Sequence, residues 1–189
     1  VQGRSFPPLV GWAGFYFAKL RTASLSLFGD YVAKYPVLNN CNIIQAGFAF
    51  RVGVGAYIDK GIFYVGASIS VYGILEGAFA FDRGQGGLAK FLPDHFALRG
   101  RVGAIAELVG YVDFKIVKAS IYIILRVEFG MLLVVIKGHG LQPVPLYIEG
   151  EVNVSIVFTI CCFKVFGHKI CIRIHLSFHA YVRFPYTLG

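Results

Sequence analysis

Charged residues are scarce in this chain. Only 15% of its 189 residues are charged, whereas 57% are hydrophobic, and the mean hydropathy is +0.67. This balance excludes intrinsic disorder, which requires low hydrophobicity and high charge. The net charge of +8 comes from Lys and Arg residues that are scattered without a basic run or a nucleic-acid-binding motif. We therefore expect no nucleic-acid partner.

Long uncharged hydrophobic stretches are also lacking. The two longest uncharged segments are Tyr35–Phe50, which contains several amide side chains, and Gly61–Leu75. A membrane-spanning helix needs roughly 20 predominantly apolar residues, and neither segment meets that requirement. The sequence therefore predicts no transmembrane helix.

Cysteines are few, and catalytic or metal-binding motifs are absent. The chain has four cysteines and no C-x-x-C pair, so neither a disulfide scaffold nor a redox motif is indicated. Cys161 and Cys171 are candidates for a disulfide or thiol pair across a hairpin, the alternative being ordinary buried thiols. His175 and His179 would lie roughly 13 Å apart on a strand, too far for one ion. We therefore expect that the chain is not an enzyme and that it binds no metal and no cofactor.

What the chain does contain is strict alternation. Apolar residues occupy every second position in six long rows, and none of these positions has a charged, amide or hydroxyl side chain. A helical period would mix the two classes within two turns, so the pattern predicts strands with one apolar face. The rows are Ile44–Ile58, Phe63–Phe81, Leu98–Val112, Val117–Val135, Val144–Cys162 and Ile170–Phe184.

The rows predict an all-β protein. We expect a long-stranded antiparallel meander of about six to eight strands, closed or packed as a sandwich or barrel. Residues 43–189 would form the antiparallel domain. Residues 1–42 would form an N-terminal segment of the same domain, with extra strands at Val10–Leu20 and Ala23–Val32.

The parity of the rows predicts the hairpin turns. The apolar row switches from even-numbered to odd-numbered residues around Asp59–Gly61. When two antiparallel strands share an apolar face, such a switch requires a loop with an even number of residues, such as Lys60-Gly61 or Asp59-Lys60. A second change between Asp113 and Ile116 predicts Val112 opposite Val117. In that register Arg101 lies opposite Glu128 as a complementary cross-strand pair.

Parity is retained around residues 165–168, where an odd or bulged loop is expected. One register of this kind places Cys161 opposite Cys171.

Small residues on the opposite face of the first hairpin indicate a second packing surface. A face without large side chains allows another backbone or sheet to approach closely. We expect a packing interface there, formed by Gly47, Gly53, Gly55, Gly66, Ser68 and Ser70, the alternative being an ordinary solvated face.

These features predict a structural role. Soluble monomers rarely expose apolar patches above a few hundred Å², so a face of this size must be covered. We expect a β-rich module of a larger assembly, such as a viral or phage-tail-like particle, an injection or secretion apparatus, or an extracellular fibre. Its partners would be copies of itself or other structural subunits, contacted through sheet packing and edge strands. The expected location is extracellular or particle-associated.

Two alternatives remain open. An apolar-ligand carrier would line a groove or barrel with the same face and bind lipid. A small outer-membrane β-barrel would turn that face to the bilayer, but such barrels cross it with strands of about 9–11 residues. The apolar rows here are nearly twice that length, which makes membrane contact the weakest of the three interpretations.

Overall fold

The alternating rows form one antiparallel sheet. The computed structural model describes residues 9–83, 93–114, 116–165 and 168–189. Its strands are β1 (Leu9–Leu20), β2 (Cys41–Asp59), β3 (Phe63–Asp82), β4 (His95–Asp113), β5 (Val117–Ile136), β6 (Gly140–Leu141), β7 (Val144–Val165) and β8 (His168–Leu188). Their order across the sheet is β1-β2-β3-β4-β5-β7-β8, and β6 pairs with the end of β5. The predicted antiparallel meander is confirmed.

The sheet is not closed. Every long strand pairs with its neighbour along the chain, and no pairing between described residues joins β1 to β8. Both strands are therefore free edges of the described sheet.

The register separates two faces. Each apolar row lines up with the rows on neighbouring strands, as when Val71 lies between Val52 and Ala104. One face is therefore apolar along its length, and we call it the apolar face. We call the other the polar face; it carries most of the charged side chains of the strands.

A compact core lies at one end of the polar face. The segment between β1 and β2 forms three short 3₁₀ helices, Ala23–Leu25, Gly29–Tyr31 and Pro36–Asn40. We call this segment, residues 21–40, the cap. It places Phe28 and Leu38, both fully buried, against Ile43, Ile136 and neighbouring small residues of the sheet. Alanines at 78, 80 and 97 leave the space that the cap fills.

The cap corrects one sequence prediction. Leu9–Leu20 is a strand as expected for Val10–Leu20, but Ala23–Val32 is not a strand. Ser26 Oγ donates to the Ala23 carbonyl at 2.7 Å and accepts from the Phe28 amide at 3.2 Å. Because these local bonds satisfy the backbone, the segment turns instead of pairing with the sheet.

The turns agree with the predicted parity and differ in position. Lys60 and Phe63 are joined by a backbone hydrogen bond, so the β2–β3 turn has the two central residues Gly61 and Ile62. The loop is even, as predicted, but it lies further along the chain. Gly61 has φ +76°, a conformation that glycine adopts without steric cost.

The predicted cross-strand pair is wrong. Arg101 lies opposite Gly130, and Glu128 lies opposite Gly103, which is a shift of two residues from the expected register. Asp113 instead pairs with Lys118, and their side chains form an ion pair at 2.7 Å. The turn therefore closes after Asp113, where the Phe114 amide donates to the Val117 carbonyl.

Candidate assembly surfaces

The apolar face is open along the whole sheet. At its centre Val71 is 52% exposed and Val127 is 57% exposed, and Phe15 on β1 is 87% exposed. Further large side chains with at least a third of their surface exposed on this face include Phe48, Phe50, Val52, Val54, Ile58, Ile69, Leu75, Val102, Leu125, Phe129, Ile148, Phe158, Ile172, Ile174, Leu176, Phe178, Val182 and Phe184. In the described chain, no segment packs over them.

Shallow hollows interrupt the apolar face where glycines replace side chains. One has a volume of about 350 Å³ and lies around Gly73 and Gly100, with Phe48, Phe129 and Met131 at its sides. Another, of about 280 Å³, lies beside Gly110. Hollows of this size bordered by large side chains are shaped to accept protruding apolar side chains from a facing surface.

The polar face is the sheltered side of the sheet. At its centre the Glu128 side chain is almost fully buried, at 1% exposure. The carboxylate accepts hydrogen bonds from the Tyr72 hydroxyl, from Arg126 Nη2 at 2.6 Å and from the Tyr147 hydroxyl at 2.8 Å. Burial by itself raises the pKa of Glu128, but these three donors outweigh it, and the pKa is lowered overall. Glu128 is therefore held as a carboxylate.

The same contacts shift the two tyrosines in the opposite direction. Burial, followed by the hydrogen bond to Glu128, raises the pKa of Tyr72 and of Tyr147 to about 12. Both hydroxyls therefore remain protonated donors. The cluster stabilises a fixed charge and offers no acid or base near neutral pH.

A second buried carboxylate lies closer to the cap. Glu76 accepts a hydrogen bond from the Tyr16 hydroxyl at 2.8 Å and pairs with Arg99 at 2.6 Å. Arg101 approaches the same carboxylate at 3.6 Å. Arg101 therefore interacts with Glu76 instead of the predicted Glu128.

Glycines explain why this face can shelter charges. Tyrosine rings on the polar face lie over glycines of an adjacent strand: Tyr72 over Gly103 and Tyr147 over Gly130. A Cβ atom at either glycine would come within 2.6 Å of a ring atom, so only glycine fits. The sequence signal for this arrangement is a tyrosine in register with a glycine, and it cannot be recognised until the register is known.

The predicted small-residue interface is largely occupied by the chain itself. Tyr16 covers Gly47, and the Arg51 side chain donates to Ser70, which is buried. Ser70 in turn lies against Gly53, and Ser68 donates to Glu107. A hollow of about 220 Å³ remains over Gly55, Gly66 and Ser68. Contact of this patch with a neighbour stays a prediction.

The structure brings the two candidate cysteines together. Cys161 lies opposite Cys171, and their sulfurs are bonded at 2.08 Å. The register shifts between Cys161 and Phe163, which is the bulge that parity allows. Cys41 is a free, buried thiol, and burial raises its pKa to about 11.

The two edge strands are the other open surfaces. β8 is 21 residues long, and its side chains from Ile170 onward are exposed on both faces, except that Ala180 is partly buried. β1 is shorter, at 12 residues. Both present backbone groups without a partner strand in the described structure.

The described residues contain neither a group of three potential metal ligands nor a helix long and apolar enough to cross a membrane. His175 Nε2 lies 3.0 Å from Ser155 Oγ, and His179 Nε2 lies 3.4 Å from Glu151, so the two histidines have separate partners. No protein-family model matches the chain, and no curated protein or solved structure is significantly similar to it.

Proposed function

We propose that this chain is a non-enzymatic structural protein that assembles by packing its apolar face against the apolar face of another copy. The observation that carries the proposal is the open apolar face, which extends along the full length of the long strands while charges are sheltered on the other side. Face-to-face packing would place two such sheets about 10 Å apart, with both polar faces outward.

The area of the apolar face suits this role. Six strands of 19 to 22 residues lie side by side. With strand spacing of about 4.8 Å and rise of about 3.3 Å per residue, the face measures on the order of 1,700 Å². A stable interface of standard size buries about 800 Å² per partner. One such contact is therefore large enough to hold two copies together, and the hollows around Gly73 and Gly110 would receive side chains of the facing sheet.

Two alternatives fit the geometry less well. A lipid carrier needs its apolar residues on the sheltered side of a groove, whereas here the sheltered side is polar. Direct contact with a bilayer needs an apolar band about 30 Å thick. The exposed apolar row of β8 from Ile170 to Leu188 spans about 60 Å at the strand rise, or about 42 Å when tilted by 45°.

The proposal is tested by the mass of the purified protein in detergent-free buffer, measured by light scattering. We expect an assembly of several copies. Val71→Lys combined with Val127→Lys places two charges at the centre of the apolar face and should reduce the mass. Tyr122→Lys is the matched control on the polar face, at a side chain that is also exposed, and should leave the mass unchanged.

Three results would overturn the proposal. The first is a monomeric wild-type protein. The second is an assembly whose mass does not change with Val71→Lys and Val127→Lys. The third is a wild-type protein that stays in solution only with detergent and floats with phosphatidylcholine vesicles, which would show that the apolar face contacts lipid.

A further inference from the structure

We infer that the β8 edge is a second, separate interface, at which β8 pairs antiparallel with β8 of another copy about a twofold axis. This inference rests on the proposed self-assembly and names a contact that the apolar face does not supply. It follows from strand direction, from the composition of the edge and from the orientation of its backbone groups.

Strand direction disfavours closure of the sheet on itself. Because each neighbouring pair is antiparallel, β1, β3, β5 and β8 run in one direction and β2, β4 and β7 run in the other. A β1–β8 contact would therefore be parallel in an otherwise antiparallel sheet. A twofold axis beside β8 instead generates an antiparallel pair, which continues the existing pattern.

The central part of β8 lacks the residues that usually protect an edge strand. Natural edge strands are commonly guarded by charged residues, proline or bulges. Between Arg173 and Arg183, the segment Ile174–Val182 has no Lys, Arg, Asp, Glu or Pro. It contains a β-branched residue at each end and alternates apolar with polar residues, so it is a strong strand former. β1 is shorter and contains Gly11 and Gly14.

The orientation of the backbone groups shows which residues would pair. The Cys161 amide donates to the Ile116 carbonyl, on the side away from β8. Cys161 and Cys171 are therefore a pair without mutual backbone hydrogen bonds, and the Cys171 backbone groups point to the open edge. No register shift occurs from Cys171 to the end of β8, so odd-numbered residues, including Ser177, also point outward. Pro185 has the same phase, so β8 already has one proline at an outward position.

Charge selects the register. If the axis passed through Phe178, Arg173 would face Arg183 of the other copy, and like charges directly opposite are destabilising. An axis at Ser177 places Arg173 opposite Tyr181 of the other copy, whose ring can accept the guanidinium. Apolar residues remain opposite apolar residues, as for Leu176 and Phe178. The inferred contact therefore centres on Ser177.

The decisive variant is Ser177→Pro. It removes an amide that points to the open edge and leaves the β7–β8 hydrogen bonds intact. Ser177→Ala is the matched control because it retains the amide. We expect the circular dichroism spectrum to be unchanged in both variants and the assembly to lose mass only with proline. The outward-pointing amides of residues 173, 175, 179 and 181 should exchange faster in the proline variant than in the wild-type protein.

Combining variants separates this inference from the proposed function. In the background with Lys at positions 71 and 127, we expect a dimer through β8, which Ser177→Pro converts to a monomer. A monomer in that background before proline is added would overturn the β8 contact and leave face-to-face packing supported. A dimer that survives proline would overturn it equally.

Cross-linking tests the register. In a background carrying Cys41→Ala and Cys162→Ala, which leaves only the cysteines of the disulfide, a single cysteine is introduced at position 175, 177 or 179 and treated with a short thiol-specific linker. An axis at Ser177 brings those two Cα atoms to about 5.5 Å, so Ser177→Cys should give the highest yield of linked dimer. Highest yield for His179→Cys or for His175→Cys would overturn the assigned register.

Discussion

The capped end of the polar face and the open apolar face are built from similar residues but have different surroundings. At the capped end, Phe28 and Leu38 cover Ile43 and Ile136, and all four side chains are fully buried. On the apolar face, side chains as large as Phe15 and Phe184 remain mostly exposed. The difference shows that alternation creates an apolar surface and that a separate segment must cover it. The described chain supplies such a cover only for one end of one face.

The largest expected effect comes from removing a side chain at the capped end. Phe28→Ala should lower the free energy of unfolding by about 3–5 kcal/mol, because it empties a fully buried site. Phe15→Ala should change it by no more than about 0.5 kcal/mol in a background where the apolar face does not assemble. Urea unfolding of both variants, each carrying Val71→Lys and Val127→Lys, measures the contrast. Equal losses would show that the apolar face is covered within a single copy.

The second effect concerns the sheltered charges. Glu128→Gln should cost about 2 kcal/mol at neutral pH, because the buried acceptor loses its charge while Arg126 remains. Glu107 is more exposed and pairs with Arg51 at 3.2 Å, so Glu107→Gln should lower the free energy of unfolding by less than about 1 kcal/mol. Denaturant unfolding at pH 7 compares the two.

The pH dependence identifies the contribution of Glu128. Its pKa is lowered in the folded state, so its stabilising effect is present above its ordinary pKa of 4.5 and is lost as the pH falls below that value. Glu128→Gln should remove this part of the acid dependence. A loss that is the same at pH 7 and at pH 3 would contradict the charge-based explanation.

The third effect lies at the end of the sheet furthest from the cap. The Cys161–Cys171 disulfide closes a loop with a sequence separation of 10. Its reduction should destabilise the protein by about 2 kcal/mol through the gain in entropy of the unfolded chain. It should also speed amide exchange in β8 more than in β2, which the cap holds. Cys171→Ser is the control and should make the protein insensitive to reductant.

The sequence predicts the fold class here better than the contacts. Rows such as Ile44–Ile58 specify strands and faces, and their parity predicts an even turn near Gly61 and an odd or bulged connection around residues 165–168. The observed register shift lies earlier, between Cys161 and Phe163. The predicted register of β4 and β5 is wrong by two residues, because parity permits both the predicted pairing and the observed one, in which Asp113 lies opposite Lys118.

The burial of charged side chains on the polar face could not be predicted from the sequence, for a different reason. Alternation distinguishes two faces but does not specify which will be screened from solvent. The burial of Glu128 depends on Tyr72 and Tyr147, which come from two other strands and rest on glycines. These contacts join residues 56 and 19 positions apart, so they follow from the register and not from any local motif.

The smallest expected effect returns to the capped end. His95 is buried, and its Nδ1 accepts a hydrogen bond from the Lys137 amide at 3.1 Å. Burial lowers the pKa of His95, opposed by the neighbouring Asp94, so the ring is neutral in the folded protein. The corresponding stability is present above its ordinary pKa of 6.5 and is lost as the pH falls through the lowered value. We expect a loss below about 1 kcal/mol on acidification from pH 7.

His95→Asn keeps an acceptor at the same position and should abolish this dependence above pH 5, whereas the exposed His175→Asn should retain it. If thermal unfolding shows the same slope with pH for all three proteins, then protonation of His95 does not loosen the cap, and the capped end is as insensitive to acid in this range as the apolar face.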